Sequence, residues 1–518
     1  MRLAQSSTAG TVGPMTPGPA APDPQGLLLV LGDQLFDPRL LPAGVPRRAV
    51  MAEDRGLCTR YPLHRATIAM FLAAMRAHAD ELRAAGWTID YTRIDDDAAW
   101  PTSYRDKLAA AVRRSGARRV WHNAVADRSV AAELAAWCGE LGVERIELPS
   151  PAFLTAPEAF AGWLAGRPSA RMADFYTWQR RRLGVLLTPD GGPLGGRWSF
   201  DADNRKPLPE GLVPPPLPAR SAEPHLPAVR ETVLTRFPGH PGDPAAVPVP
   251  TTRAGAERWL ADFCAQRLPR FGPYEDAMSS SHDVLWHSLL APLLNLGLLT
   301  PRRVLDAVLA APGVPLNSRE GFVRQLIGWR EFVKGVDAVW GERQAAANHW
   351  GHHRRLSPAW AAAATGIPPL DHALAKAHRL AWTHHIERLM VLGNAFQLCE
   401  IAPGEAFRWF LAMHCDGAEW VMGPNVFGMA LGSDGGLMMT KPYICGSPYL
   451  RRMGGWAKGA WCDELDGLYW RFVAAHADEL ARNPRTAQAV STLGRMGGER
   501  RERLARAADG ALARLTTA

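Results

Sequence analysis

The feature that most limits the fold is where strand-like sequence occurs and where it stops. Five short apolar runs occupy the first third of the 518 residues: LLLVL from Leu27, AVMAE from Ala49, WTIDYTRI from Trp87, RRVWHN from Arg118 and VERIEL from Val143. Helical periodicity separates them, with Ile68, Phe71, Leu72 and Met75 on one face and Ala131, Leu134, Ala135 and Cys138 on another. Alternation at this spacing predicts βαβ units and a parallel sheet covered on both faces. After Ala254 no comparable run appears, and amphipathic helices follow one another to Ala513, so the second half is expected to be all-helical. The expected organisation is a disordered tail at 1–25, an α/β domain at 26–150, helices and a Pro-rich linker at 151–253 (PLPEGLVPPPLP, HPGDPAAVPVP), and a helical domain at 254–518.

Ligands of doubly wound sheets sit at the carboxyl ends of the strands. The first strand runs into Gly32-Asp33-Gln34 with no GxGxxG, so a Rossmann-type NAD site is not expected. Seven cysteines are scattered singly, which suits a reducing compartment and no disulfide framework. No secretory signal is evident, and the longest apolar stretch, Leu289 to Leu299, is broken by Pro292 and Asn295 and is too short for a span. A cytoplasmic protein, probing no membrane, is the expectation. The net charge of +8 is compatible with a polyanionic partner without requiring one.

In the helical half, polar groups interrupt apolar helix faces in six segments: FGPYEDAM (271–278), WHSLLAPLLNLGLL (286–299), GFVRQLIGWREFVKG (321–335), THHIERLMVLGN (383–394), DGAEWVMGPNVFGM (416–429) and TKPYICGSPYLRRM (440–453). Buried polar groups need partners, so several on six helices suggest convergence on a polar ligand inside an apolar bundle. Singly, each has a plainer explanation: a Trp-Arg-Glu is commonly a surface ion pair beside a core Trp, and His384-His385 could complete core hydrogen bonds. Adjacent helical residues point about 100° apart, so these two rings are not expected to grip one metal, and no metal site is predicted. Arg388 lies one turn beyond His384 and could hold a carboxylate such as Asp416. The 19 Trp residues are ordinarily core mass, but a chain of rings near a redox cofactor is the other reading.

Taken in order, GDQL, RWSFDADNRKPLP, FGPYEDAM, HSLLAPLLNLGLL, LNSREGFVRQLIGWREFVKG, THHIERLMVLGN, WVMGPNVFGM, DGGLMMTKPYI and LYWRF resemble the photolyase and cryptochrome family, in its bacterial photolyase-related, prokaryotic (6-4) photolyase branch. The resemblance runs from about residue 27 to about 475. It implies a flavodoxin-like α/β antenna domain followed by an all-α FAD-binding domain. It implies FAD contacts from Tyr274, His287, Ser288, Asn295, Gln325, Arg388, Asp416 and Met422, the last near the flavin N5. It further implies Trp329, Arg330 and Glu331 at the mouth where damaged bases enter, His384 and His385 as proton donors, Tyr443 as a pocket wall, and Trp409 and Trp420 in electron transfer. Gly32, Asp33, Gln34 and Glu53 are the positions for a ribityllumazine antenna. The implied activity is light-driven repair of (6-4) photoproducts in UV-damaged DNA by a monomeric lyase, the alternative being a blue-light receptor that binds FAD and repairs nothing.

The sequence departs from this pattern at the iron-sulfur cluster that the resemblance implies. Its four cysteine positions fall on Pro369, on Ala457 and Ala460, and on a shortened ELDG before LYW. Four thiolates are needed, so no cluster is expected, the space being filled around Trp456, Trp461 and Leu465. Phe410 and Ala418 stand where relatives can carry tyrosines of the reduction pathway, which suggests slow or rerouted photoreduction.

Overall fold

A computed structural model describes residues 21–167, 169–219, 223–439 and 441–517. Residues 1–20 of the expected tail lie outside the described residues. Within its last five, Asp23 accepts hydrogen bonds from Arg119 and from the Trp121 indole, so the chain is tied to the sheet before the first strand begins.

Five parallel strands form where the apolar runs predict them: β1 (Gly26–Leu29), β2 (Arg48–Ala52), β3 (Thr88–Thr92), β4 (Arg119–Asn123) and β5 (Glu144–Leu148). Their order is β3-β2-β1-β4-β5, a doubly wound arrangement whose direction of winding reverses between β1 and β4; flavodoxin itself has the order 2-1-3-4-5. The period of two sorts β1 and its continuation. Leu28 and Val30 join a core containing Ile68, Leu72 and Met75 of helix α1 (Arg65–Ala84), while Leu27, Leu29 and Leu31 face Leu108 and Val112 of α2 (Tyr104–Ser115) and Leu134 and Cys138 of α3 (Arg128–Leu141). Ser103 caps α2 through the Asp106 N–H, and Gly116, at φ 64°, ends it in the left-handed conformation.

Helices Pro157–Leu164 and Met172–Leu183 lead out of this domain, and Phe160, Trp163 and Phe175 share an aromatic core with Phe332 and Trp420 of the C-terminal part. The remainder is helical with one exception. β6 (Arg355–Leu356) and β7 (Thr516–Thr517) form a short antiparallel pair within this helical domain; two-residue strands are below the reach of any periodicity. No helix among the described residues is long and apolar enough to cross a membrane.

Among the described residues of this part, π-helical turns occur at Phe263–Arg267, Arg324–Arg330, Glu387–Gly393 and Pro424–Ala430. Each inserts a residue into the helical ladder and turns the following side chains through a different angle, a distortion that recurs at functional sites. The last three lie in motif-bearing segments, and helical periodicity alone does not announce them.

Candidate active site

Four elements bring their polar side chains to one buried place. Arg388, at the start of its π-helical turn, places Nη2 2.9 Å from Asp416 Oδ1 and donates from it to Oδ2 at 3.1 Å, and from Nε to the Thr383 carbonyl at 2.8 Å. Asn295 Nδ2 donates to the Asp416 carbonyl at 2.8 Å, and Arg330 Nη1 donates to Asn295 Oδ1 at 2.7 Å. Arg330 lies over the rings of Trp420 (4.8 Å) and Phe153 (5.3 Å), and burial pulls its guanidinium down to about 10. Its Nε has no hydrogen-bond partner among the described residues.

Beside this chain of contacts stand three imidazoles. His384 precedes its helix, is 2% exposed, and stacks on His287 with centroids 4.6 Å apart and planes 13° from parallel. Burial first, then neighbouring cationic and imidazole groups, holds both rings well below the usual histidine range, so both are neutral near pH 7. His287 Nε2 and both ring nitrogens of His384 lack hydrogen-bond partners among the described residues, so neither histidine is there to complete a core network. His385 is different: its side chain is 45% exposed and its Nε2 is 3.3 Å from Asp276 Oδ1. Nitrogens of all three rings lie within 4.8 Å of one another, a convergence the sequence reading did not anticipate because the third ring comes from a distant segment. The near-parallel stack sets the in-plane lone pairs of His287 and His384 side by side rather than toward a common point, which is not a metal-binding geometry.

The other expected FAD contacts are spread around this centre. Gln325 Nε2 donates to Glu275 Oε1 at 2.6 Å; Arg324 bridges Glu275 (3.2 Å) and Asp201 (2.8 Å), and burial nevertheless raises Glu275 to about 7. Tyr274 packs on Trp286 at 5.0 Å. Ser288 Oγ accepts the Leu290 N–H, its carbonyl accepts the Trp259 indole N–H, and Met422 is buried in an apolar cluster with Val426.

Of the three residues expected at the mouth, Glu331 is corrected. Glu331 is 1% exposed, and its carboxylate accepts the backbone N–H groups of Leu154 and Thr155 in the segment joining the two domains. Arg330 points inward as described, and Trp329 packs on Phe332. Glu331 holds the interdomain core because a buried carboxylate on that helix takes the nearest donors, which are main-chain amides, while Trp329 and Arg330 stay half-buried. The accessible edge lies instead around His385 and Asp276. Tyr443 stands near Asp201, Arg205, Arg485 and Asp276, Lys441 Nζ sits over its ring at 5.5 Å, and Arg452 lies 5.8 Å from the ring of Tyr449. Asp276, Arg205, Lys441 and Tyr449 went unnoticed in the sequence; the basic residues of DNRKP and TKPY were the available signal.

Trp409 packs on Phe396 (5.4 Å), which in turn lies 4.7 Å from Trp360; Trp420 is edge-on to Phe153 at 4.9 Å on the interdomain side. At the sheet, Glu53 is removed from the antenna set: it is wholly buried, paired with Arg76 at 2.7 Å, and accepts from Tyr91 and the Ile94 N–H. Asp33 and Gln34 keep capacity for a ligand, since burial raises Asp33 to about 6 and Gln34 Oε1 has no partner among the described residues. Gly32 is packed against Met75 and Phe71.

At the expected cluster positions, Pro369 is buried, whereas Ala457 and Ala460 are exposed. Where the Pro369 helix faces Leu465 and Leu468, Leu515 of the C-terminal helix closes the core to a void of about 10 Å³. Cys399, Cys415, Cys445 and Cys462 are free and buried, and none of them stands at those positions, which offer no thiolate. These residues do not fit an iron-sulfur cluster.

An α/β domain joined to a helical domain with a buried polar centre is the architecture of photolyases and cryptochromes. The chain superposes on a bacterial class III photolyase from Agrobacterium tumefaciens with a TM-score of 0.58 at 17% identity, covering 97% of this chain and 99% of that one. On a Synechocystis cryptochrome the TM-score is 0.55 at 13% identity, covering 96% and 99%. Residues 28–247 match the family model described as deoxyribodipyrimidine photo-lyase-related protein. A (6-4) photolyase of Agrobacterium fabrum is 34% identical over 494 residues, 92% of this chain and 97% of that protein. The chain belongs to the photolyase and cryptochrome family, in its photolyase-related branch.

Proposed function

We propose that the protein binds FAD among its C-terminal helices and repairs (6-4) pyrimidine photoproducts in DNA in a light-driven reaction, without an iron-sulfur cluster. The observation that carries this reading is the linked set Arg388–Asp416–Asn295–Arg330 lying beside the histidine pair, in a chain 34% identical to a (6-4) photolyase. The residues fit a flavin: His287 Nε2 and Arg330 Nε are buried without hydrogen-bond partners among the described residues, and a polar ligand among them would supply such partners. Bound there, FAD supplies light-driven electron transfer to and from the damaged bases. Arg388, held by Asp416, offers positive charge that favours an anionic neighbour in a buried setting. Asn295 fixes Asp416 through its main chain.

His385 is the proton donor of this reading, being accessible and set against Asp276, while buried His384 shapes the wall. Tyr443 and Tyr449 flank the entrance, and Arg205, Lys441 and Arg452 supply phosphate contacts on a base-flipped duplex. Asp33 and Gln34 are the remaining antenna contacts for a ribityllumazine. The scattered free thiols suit a cytoplasmic monomer.

The test is irradiation of the reduced protein with duplex DNA carrying a (6-4) lesion, with restored thymines as the readout. Wild type is expected to repair it, and His385→Asn to repair it about 10²–10⁴-fold more slowly with flavin retained. Photoreducible flavin without repair in the wild type would assign the protein to the light-receptor side of the family instead.

A further inference from the structure

Beneath the histidines lies an ion pair that no step above uses. Lys376, from the helix Pro368–Leu380, and Glu387 are each 1% exposed at the side chain, with Nζ to Oε2 at 2.8 Å and to Oε1 at 3.0 Å. Lys376 also donates to the Asp283 carbonyl and lies over Trp382 at 5.3 Å. Glu387 Oε2 accepts the main-chain N–H of His384 at 3.2 Å and stands 3.4 Å from His384 Nε2 without forming a hydrogen bond to it. A buried carboxylate that near an imidazole would ordinarily draw a proton onto the ring.

We propose that Lys376 is a positioning residue for the proton of the two-histidine motif: by engaging Glu387 it leaves His384 a neutral imidazole, so that the exchangeable proton is carried by His385 at the entrance. This rests on the reading of His385 as proton donor. Two buried charges in low dielectric interact strongly, and a lysine at 2.8 Å cancels most of the carboxylate's field at the ring. His384 is faced by His287 from the segment before Pro292, by Lys376 from its own helix, and by Glu387, His385 and Arg388 from the chain that follows it. Of these only Glu387 favours a charged ring. His287, Lys376, His385 and Arg388 all oppose it, in the same direction as burial. With the lysine neutralised, the carboxylate's field at the ring is no longer cancelled by its ion-pair partner. His384 then takes a proton, and its charge, at a ring separation of 6.4 Å, makes His385 a stronger acid.

The experiment is histidine-selective nitrogen NMR on the FAD-loaded protein, with the His384 signal assigned through His384→Asn, alongside the pH profile of repair. In wild type, His384 is expected to stay neutral between about pH 5.5 and 8. In Lys376→Met it is expected to titrate within that window, and the high-pH limb of repair to move to lower pH by at least about half a unit. Lys376→Arg, which keeps the charge, and Lys376→Met with Glu387→Gln, which removes both charges, are each expected to return His384 to neutrality and the limb to its wild-type position. A merely structural lysine would leave the double variant no better than the single one. His384 remaining neutral in Lys376→Met, or titrating in the double variant, overturns the proposal. If Lys376→Met alone does not hold flavin, the double variant and Lys376→Arg decide it by the same signals. The NMR readout does not depend on repair, so a wild type that repairs nothing refutes the functional reading and leaves this one to its own result.

Discussion

Individual side chains divide into those that reveal their role in sequence and those that do so only in space. Arg388 and Asp416 were legible, because a guanidinium one turn past a histidine on an apolar helix needs a carboxylate. Their pairing at 2.9 Å meets that need. Asp416→Asn is expected to cost about 1.5–3 kcal/mol of the interactions around Arg388, lowering FAD affinity at least roughly 10-fold, as read by flavin retention on dialysis. Glu53 and Glu331 were not legible in the same way. A buried acid at a strand end or beside a Trp-Arg pair looks like a ligand contact, yet each is consumed by local donors. Asp127 shows burial acting on stability. Its carboxyl is raised to about 7, first by desolvation and then by Glu419, while it accepts the Trp420 N–H. Between the unfolded value near 4 and about 7 the folded protein binds the extra proton, so its contribution is full at the acid end and is lost as pH rises through 7. Asp127→Asn, which cannot ionise, is expected to raise the melting temperature at pH 8, by on the order of 1–3 kcal/mol in stability, and to flatten its fall between about pH 4 and 7.

At the scale of elements, the five strands and their helices were readable because period two and period 3.6 are strong local signals on a sheet buried on both faces. The π-helical turns were not, since each changes the angle of the following residues without changing composition. Glu331, placed at the entrance by its motif, follows one of these turns and ends up in the interdomain core. Glu331→Ala strands the Leu154 and Thr155 amides and is expected to cost about 2–4 kcal/mol and to open the 150–156 segment to protease; an unchanged melting curve and cleavage pattern would contradict this. Helices α4 (Trp461–Ala475) and α5 (Gly498–Leu515) meet at Gly467, where an added Cβ would stand 2.2 Å from the Leu504 carbonyl. Gly467→Ala therefore forces the pair apart, and a loss of about 1–3 kcal/mol in chemical denaturation is expected.

For the whole molecule, α5 closes the core beside the positions expected for a cluster. Leu512 and Leu515 enter the core beside Leu465, the Trp360 indole donates to the Leu515 carbonyl at 2.9 Å, and Arg514 reaches Glu464 at 2.6 Å. The missing cysteines were readable in sequence. The helix that closes the gap was not, because its contacts span more than a hundred residues and leave no local trace. Removing residues 498–518 is expected to release FAD and expose apolar surface to a reporter dye. Everything returns to whether the polar centre between Arg388, Asp416, Asn295 and Arg330 holds a flavin. The visible absorption spectrum of the purified protein, with released FAD counted against polypeptide, measures that directly. About one FAD per chain, lost together with the blue absorbance in Asp416→Asn, is the result predicted here; a colourless wild type that takes up no added FAD would contradict it.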